Sequence, residues 1–223
     1  MSRSSGFYLA VVLAATTSFA AGQEPAPTPY TCTMDASART QEAGCYILAK
    51  EKFDHLPAGP LFWHLYTYAT LEQAKRGQQN SGGSVAESSG KVWLFRIAAE
   101  NWRPEGGDRV AVIGPLEVSP GKVYEARYME AVLPPGRPGT PVHRHAGPEA
   151  WYVLSGAQCM QTPNETKVVR AGGTAVIPGG VPMSVKFPFN DTVRHIVLVL
   201  YDASQPWRTK AQDWVPTTAC PSQ

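Results

Sequence analysis

The sequence predicts an all-β protein, a sandwich or barrel of short strands behind a longer N-terminal arm. Two observations carry this reading. From Lys91 onward, short apolar runs recur at 92–98, 110–113, 123–132, 142–145, 150–154, 167–169, 174–177, 183–187 and 193–201. Gly, Pro, Asn and Asp clusters punctuate them, the spacing of strands joined by tight turns. Earlier in the chain, residues 61–68 alternate, with Phe62, His64, Tyr66 and Tyr68 on one face and Leu61, Trp63 and Leu65 on the other. Aromatic and apolar enrichment with a period of two is a strand signal.

Taken in order, the chain opens on a processing signal. Arg3 supplies a short positive region, residues 7–15 form an apolar run, and Ser18-Phe19-Ala20 and Ala20-Ala21-Gly22 offer small-residue cleavage sites. That run is too short to span a bilayer, which favours a cleaved leader over a retained anchor. Residues 1–22 are assigned to it, with the mature chain starting near Gln23. About 200 residues then remain, enough for one domain with a substantial core. Residues 23–31 are Pro-rich and predict extended or disordered chain.

A short apolar run follows at 45–49. After the 61–68 strand, Thr70 reads as a helix N-cap with Gln73 three residues on, ahead of a short helix to about Gly77. Residues 78–90 are rich in Gly, Ser and Gln and predict a mobile loop. The organisation expected is a leader at 1–22, an arm at 23–107 packed on a barrel at 108–205, and a tail at 206–223. No later run is apolar and long enough for a membrane helix.

Charge excludes some classes. Without Arg3, nineteen of the twenty Lys and Arg side chains remain against eighteen Asp and Glu. No basic stripe and no helix-turn-helix pattern is present, which argues against nucleic acid as a partner. P-loop, dinucleotide and nucleophile-elbow patterns are missing as well.

The four cysteines are Cys32, Cys45, Cys159 and Cys220. An even count in an exported chain predicts two disulfides, and no CxxC pair points to zinc. Three pairings are open. The preferred one joins Cys32 to Cys45 across a short N-terminal loop and Cys159 to Cys220, pinning the tail to the barrel. Asn164-Glu165-Thr166 and Asn190-Asp191-Thr192 are glycosylation sequons in polar, turn-like segments, relevant in a eukaryotic host.

The chemistry concentrates in His143-Arg144-His145-Ala146-Gly147-Pro148-Glu149. Histidines two apart on a strand point to one side. Gly147-Pro148 supplies a turn that brings the Glu149 carboxylate back to the same place. Two imidazoles and a carboxylate aimed at one point form a metal-ligand set. Glu149 begins a strand whose alternate positions are Trp151 and Val153, and a carboxylate facing an apolar interior needs a partner or a cation.

A second block runs from Gly172 through Pro178-Gly179-Gly180 to Met183. Together the blocks resemble the paired motifs of the cupin superfamily, G-x5-H-x-H-x3,4-E-x6-G and G-x5-P-x-G-x2-H-x3-N. His143, His145, Glu149 and Gly156 match the first, and Gly172, Pro178 and Gly180 match the second. Arg137 stands at the leading glycine, Met183 at the third histidine and Phe187 at the asparagine. The resemblance covers about 108–203. It implies a single-domain, exported cupin: a jelly-roll β-barrel carrying an N-terminal arm with a strand and a short helix.

It also implies one divalent transition metal (iron, copper, manganese or nickel) on His143, His145 and Glu149. Met183 is the fourth candidate. A thioether ligand would favour copper, while core filling is the commoner use of methionine and the preferred reading. His195 shares a face with Val197 and Val199 and is a candidate replacement ligand, ligand-orienting group or structural histidine. For Arg127, Tyr128, Glu130, Trp151 and Tyr152 the inward parity stays open. His64, amid Phe62, Tyr66 and Tyr68, is either an aromatic lid or plain packing, with packing preferred. No catalytic residue beyond the ligands is assigned.

The functional expectation is a secreted or periplasmic metal-dependent enzyme, an oxygenase acting on a small organic substrate. The alternative is a non-catalytic cupin that binds a small ligand or metal. The family resemblance adds homodimerisation, and no membrane association is expected after leader removal.

Overall fold

The computed structural model describes Met1, residues 31–216 and residues 219–220. The expected leader and the Pro-rich stretch up to residue 30 lie outside the described residues. The elements, in order, are β1 (Met34–Asp35), β2 (Gly44–Phe53), β3 (Leu61–Tyr68), α1 (Leu71–Ser81), β4 (Ser84–Ser88), β5 (Lys91–Ala98), β6 (Asp108–Leu116) and β7 (Tyr124–Leu133). Then come β8 (His143–Arg144), β9 (Glu149–Ser155), β10 (Ala157–Gln161), β11 (Thr166–Arg170), β12 (Thr174–Ile177), β13 (Ser184–Lys186), β14 (Val193–Asp202) and β15 (Thr209–Lys210). The all-β expectation holds.

A six-stranded sheet in the order β1-β2-β7-β14-β9-β12 forms the backbone of the molecule. Strand β14 lies between β7 and β9, antiparallel to both. All of it except Arg194 is buried, which explains its nearly continuous apolar sequence: both faces of the sheet are covered. One face carries Met129, Ala131, Leu133, Trp151, Val153, Val197 and Val199. These meet Met160, Val169 and Val185 of a three-stranded sheet, β11-β10-β13. This pair of sheets is the jelly-roll barrel.

The other face carries Tyr124, Ala126, Tyr128, Ala150, Ile196, Leu198 and Leu200. A four-stranded sheet, β4-β5-β3-β6, covers it. That sheet contributes Leu61, Trp63, Leu65, Trp93, Phe95 and Ile97, all completely buried. Phe95 stacks on Tyr128 with ring centroids 5.0 Å apart. The alternation read in 61–68 therefore has its predicted sense. Leu61, Trp63 and Leu65 face the large sheet, while Tyr66 and Tyr68 pack with Leu94 and Ala74 beneath α1.

Two expectations need correction. Residues 78–90 are not a loop: α1 extends to Ser81, and β4 then pairs with β5 along its whole length, Ser84 opposite Phe95 through Ser88 opposite Lys91. Backbone pairing on a strong neighbouring strand overrides weak local β-propensity. Gly77 is not the helix end but an interior residue, and a β-carbon there would collide with the Tyr68 ring. The start of the helix is as expected, with the Thr70 side chain accepting from Gln73 N at 3.2 Å.

Both preferred disulfides are present, Cys32–Cys45 and Cys159–Cys220. They suit an oxidising compartment. Among the described residues no helix is long and apolar enough to cross a membrane. Beyond β14 the chain turns back over the barrel as a strap. Its strand β15 pairs with β8, Ala211 N donates to Val142 O at 3.2 Å, and Cys220 ties the end to β10.

Candidate metal centre

Strand β8 is two residues long, held between Pro141 and the Gly147-Pro148 turn. On one side it exchanges backbone hydrogen bonds with Met183: His143 N to Met183 O at 3.0 Å and Met183 N to His143 O at 2.8 Å. On the other side it pairs with β15. The turn is anchored on the end of β14, where Leu200 N donates to Pro148 O and Asp202 N donates to Ala146 O. It also meets the second sequence block directly. Gly180 N donates to His145 O at 2.9 Å, and a β-carbon on Gly179 would lie 2.6 Å from Gly147 Cα. Glycine at these two positions lets the turns touch, and that contact sets Glu149 against the histidines.

The predicted trio converges. His143, His145 and Glu149 are all buried, and one ligand atom from each lies within 4.8 Å of the others. The imidazoles stand edge to face with centroids 5.0 Å apart. Arg144 points the other way and grips Asp213 with both carboxylate oxygens, at 2.6 and 2.7 Å.

The histidine tautomers follow from their partners. His143 Nδ1 sits 2.7 Å from Pro141 O, and His145 Nδ1 sits 2.5 Å from Trp207 O. A carbonyl only accepts, so each Nδ1 must carry the hydrogen. Each Nε2 in the neutral ring then presents a lone pair. His145 Nε2 lies 3.1 Å from Glu149 Oε2, and neither atom has any other partner. Two acceptors facing each other in a buried site require a cation or a proton between them. The residues therefore fit a divalent metal, and backbone carbonyls orient the rings from behind as second partners commonly do at metal-bound histidines.

The electrostatics agree. Burial lowers the His143 pKa to about 4, against an opposing pull from Glu149. Burial also presses His145 down, but the Glu149 carboxylate and the Trp207 carbonyl more than offset it and raise its pKa.

The trio opens into a cavity of about 290 Å³ lined by Met129, Leu133, Trp151, Val185, Phe187 and Val197 among others. Met183 is 1% exposed and lines it beside His143. Its main chain is directly opposite His143, so the thioether is on the metal side and packed within the apolar cluster. His195 also lines the cavity, 6% exposed, its Nδ1 without a hydrogen-bond partner. Its pKa is pushed down to about 4 by burial. On β14 it is Val199 that pairs with Glu149. His195 is four residues away, ~13 Å along the strand. It lies outside the converging trio and on the cavity wall, where the Glu149 charge still reaches it.

Parity is now fixed. Arg127, Met129 and Trp151 face the barrel, and Tyr128 and Tyr152 face the N-terminal sheet. Glu130 shares the face of Tyr128 and is buried under the edge of the N-terminal sheet, accepting from Ser88 and pairing with Arg39. His64 is packing: fully buried, its Nε2 bound to Ala99 O and its ring edge-on to Trp102.

Two residues of the site escaped sequence reasoning, Trp207 and Arg208 in the strap. The Trp207 ring stacks on His145 with centroids 5.5 Å apart, the Arg127 guanidinium lies 4.7 Å from the Trp207 ring centroid, and Arg208 lines the cavity. The only signal was an aromatic residue in a tail tethered by Cys220.

Residues 129–199 match the cupin domain family. No curated protein matches the chain. Solved structures with a similar portion include a DMSP lyase from Ruegeria pomeroyi, 16% identical, with 38% of this chain on 42% of that one and a TM-score of 0.34. A cupin-like protein from Thermotoga maritima is 19% identical, with 39% of this chain on 64% of that one and a TM-score of 0.35. A variant of the salicylate 1,2-dioxygenase from Pseudoaminobacter salicylatoxidans is 22% identical, with 33% of this chain on 21% of that one and a TM-score of 0.30. The chain thus spans less than half the length of the lyase and less than two thirds of the others, and these partial likenesses say nothing of the reaction. With both sequence blocks in place, a jelly-roll barrel around them and the family match across its central strands, the chain carries a cupin domain that includes residues 129–199.

Proposed function

We propose that this chain is an exported, metal-dependent cupin enzyme, an oxygenase acting on a small organic molecule, with His143, His145 and Glu149 holding one divalent transition metal. The observation that carries the reading is the convergence of the three buried ligand atoms within 4.8 Å, with His145 Nε2 3.1 Å from Glu149 Oε2 and neither atom held by any other partner. Two imidazoles and one carboxylate with open positions form the donor set of non-haem iron(II) oxygenases. Iron, copper, manganese and nickel all suit it. Such a metal supplies Lewis acidity and, for iron or copper, redox access to dioxygen.

The chain's own residues do the rest. The Pro141 and Trp207 carbonyls hold both rings as Nδ1–H tautomers. Trp151, Val185 and Phe187 exclude water and give a small substrate an apolar bed. His195, neutral and uncommitted at Nδ1, offers that substrate one hydrogen-bonding group. The two disulfides and the leader-like N-terminus support export.

Oxygen uptake by iron- or copper-loaded protein in the presence of phenolic and keto-acid substrates tests the oxygenase. Consumption coupled to substrate loss is expected, and no uptake with any of them would retire the claim. Met183 at the third histidine position favours one other reading, a binding protein without catalysis. Met183→His separates the two. Loss of an existing activity means the open coordination position was in use; activity gained only in the variant means the natural chain is a binder.

A further inference from the structure

Arg208 is a cation without a counter-ion at the wall of the cavity. Its backbone is fixed on both sides: the Trp207 carbonyl accepts from His145, and Thr209 pairs with Arg144. Its side chain is half-buried and lines the cavity that holds the trio. Its charge acts on His143 and His145. Among the described residues no carboxylate lies within ion-pair distance of it, in contrast to Arg39, Arg76, Arg96, Arg144 and Arg194, which each have one. Glu149 is the single acidic side chain in the lining among the described residues.

The charge count is simple. With both histidines neutral, a divalent metal, Glu149 and Arg208 sum to about +2, and Arg137, which has a partner of its own, is a second guanidinium in the lining. A partly desolvated positive pocket attracts an anion. Most of the remaining wall is apolar, so that anion must carry an apolar body. A guanidinium presents a planar fork that matches a carboxylate.

We propose that the cavity takes a small organic acid, and that Arg208 holds its carboxylate beside the metal centre while the apolar wall receives its body. This rests on reading His143, His145 and Glu149 as the metal centre and names the substrate class of that site. Arg208 lies outside residues 129–199 that match the family, so the specificity belongs to the strap of this chain.

The test is calorimetric titration of the full chain, chelator-stripped and nickel-loaded, with benzoate, phenylacetate and pyruvate, with their amides, and with phenyl phosphate. At least one acid is expected to bind the loaded protein ten-fold or more tightly than its amide. Arg208→Gln should reduce that acid to the affinity of its amide, Arg208→Lys should restore part of the preference, and nickel content should stay the same in all three proteins. Equal binding of acids and amides, a preference that survives Arg208→Gln, or tighter binding of phenyl phosphate than of every acid would overturn the proposal. If nickel does not bind but the stripped protein keeps an Arg208-dependent preference for acids, the metal reading fails and the acid site stands. Nickel uptake without any acid preference is the reverse case.

Discussion

The two faces of the six-stranded sheet are built from the same strands but for different ends. On β14, Ile196, Leu198 and Leu200 point into a wall of Trp63, Trp93 and Phe95 that is completely buried. Their neighbours His195 and Val197 point into a cavity of about 290 Å³. Successive residues of one strand thus meet a close-packed interior and a hollow one. The packed face holds the sheet flat and fixed, and the hollow face can then carry buried polar groups that would otherwise disturb the fold. Stability and chemistry are separated by a strand's period of two.

The largest effect is expected from breaking the packed face. Trp63→Ala removes a fully buried indole that touches Phe95 and Tyr128, and should cost about 3–5 kcal/mol in denaturant unfolding. Val197→Ala on the hollow face enlarges an existing space and should cost about 1 kcal/mol or less. Equal losses would mean that the two faces do not differ.

The closure of the hollow face comes next. Cys220→Ser with Cys159→Ser opens a link that spans 61 residues, worth about 4 kcal/mol in the loop-entropy view. Freed from its tether, the strap holds Trp207 O less firmly behind His145. Metal affinity should therefore fall along with the melting temperature, while Cys32→Ser with Cys45→Ser should lower only the latter.

A smaller, local change is Glu149→Gln. The fold should persist, and His145 should lose the carboxylate that raises its pKa, seen as a downward shift in its NMR titration. An unchanged titration would mean the pair is not coupled.

A pH slope is also expected in the metal-free protein. His143 and His195 have folded pKa values of about 4, below the ordinary 6.5. The unfolded chain then binds more protons in this window, so their contribution is fully present above pH 6.5 and is lost as pH falls toward 4. His195→Phe should flatten the slope in thermal melts taken across that range.

Much of the hollow face is legible in the sequence because its determinants are local. His143 and His145 need only strand parity, and Glu149 needs the Gly147-Pro148 turn. The pairing of cysteines was reached from chain position alone. What escaped depends on distant partners. Ser84–Ser88 carries almost no apolar alternation and becomes a strand because β5 is beside it. Trp207 and Arg208 reach the site only because β15 pairs with β8, where Thr209 lies opposite Arg144 far back in the chain. The parity of Arg127 and Glu130 likewise waited on which sheet covered which face. Met183 illustrates the remaining gap: its place facing His143 was readable, whereas its role as ligand or filler depends on a metal that the sequence does not specify.

The central claim is the metal centre, and metal content tests it most directly. Mature protein purified without chelators or a histidine tag is analysed by mass spectrometry, alongside a His143→Ala/His145→Ala variant that circular dichroism shows to be folded. The account predicts about one equivalent of iron, copper, manganese or nickel in the natural chain and none in the variant. A natural chain that is metal-free and stays empty on reconstitution with each of these ions would contradict it.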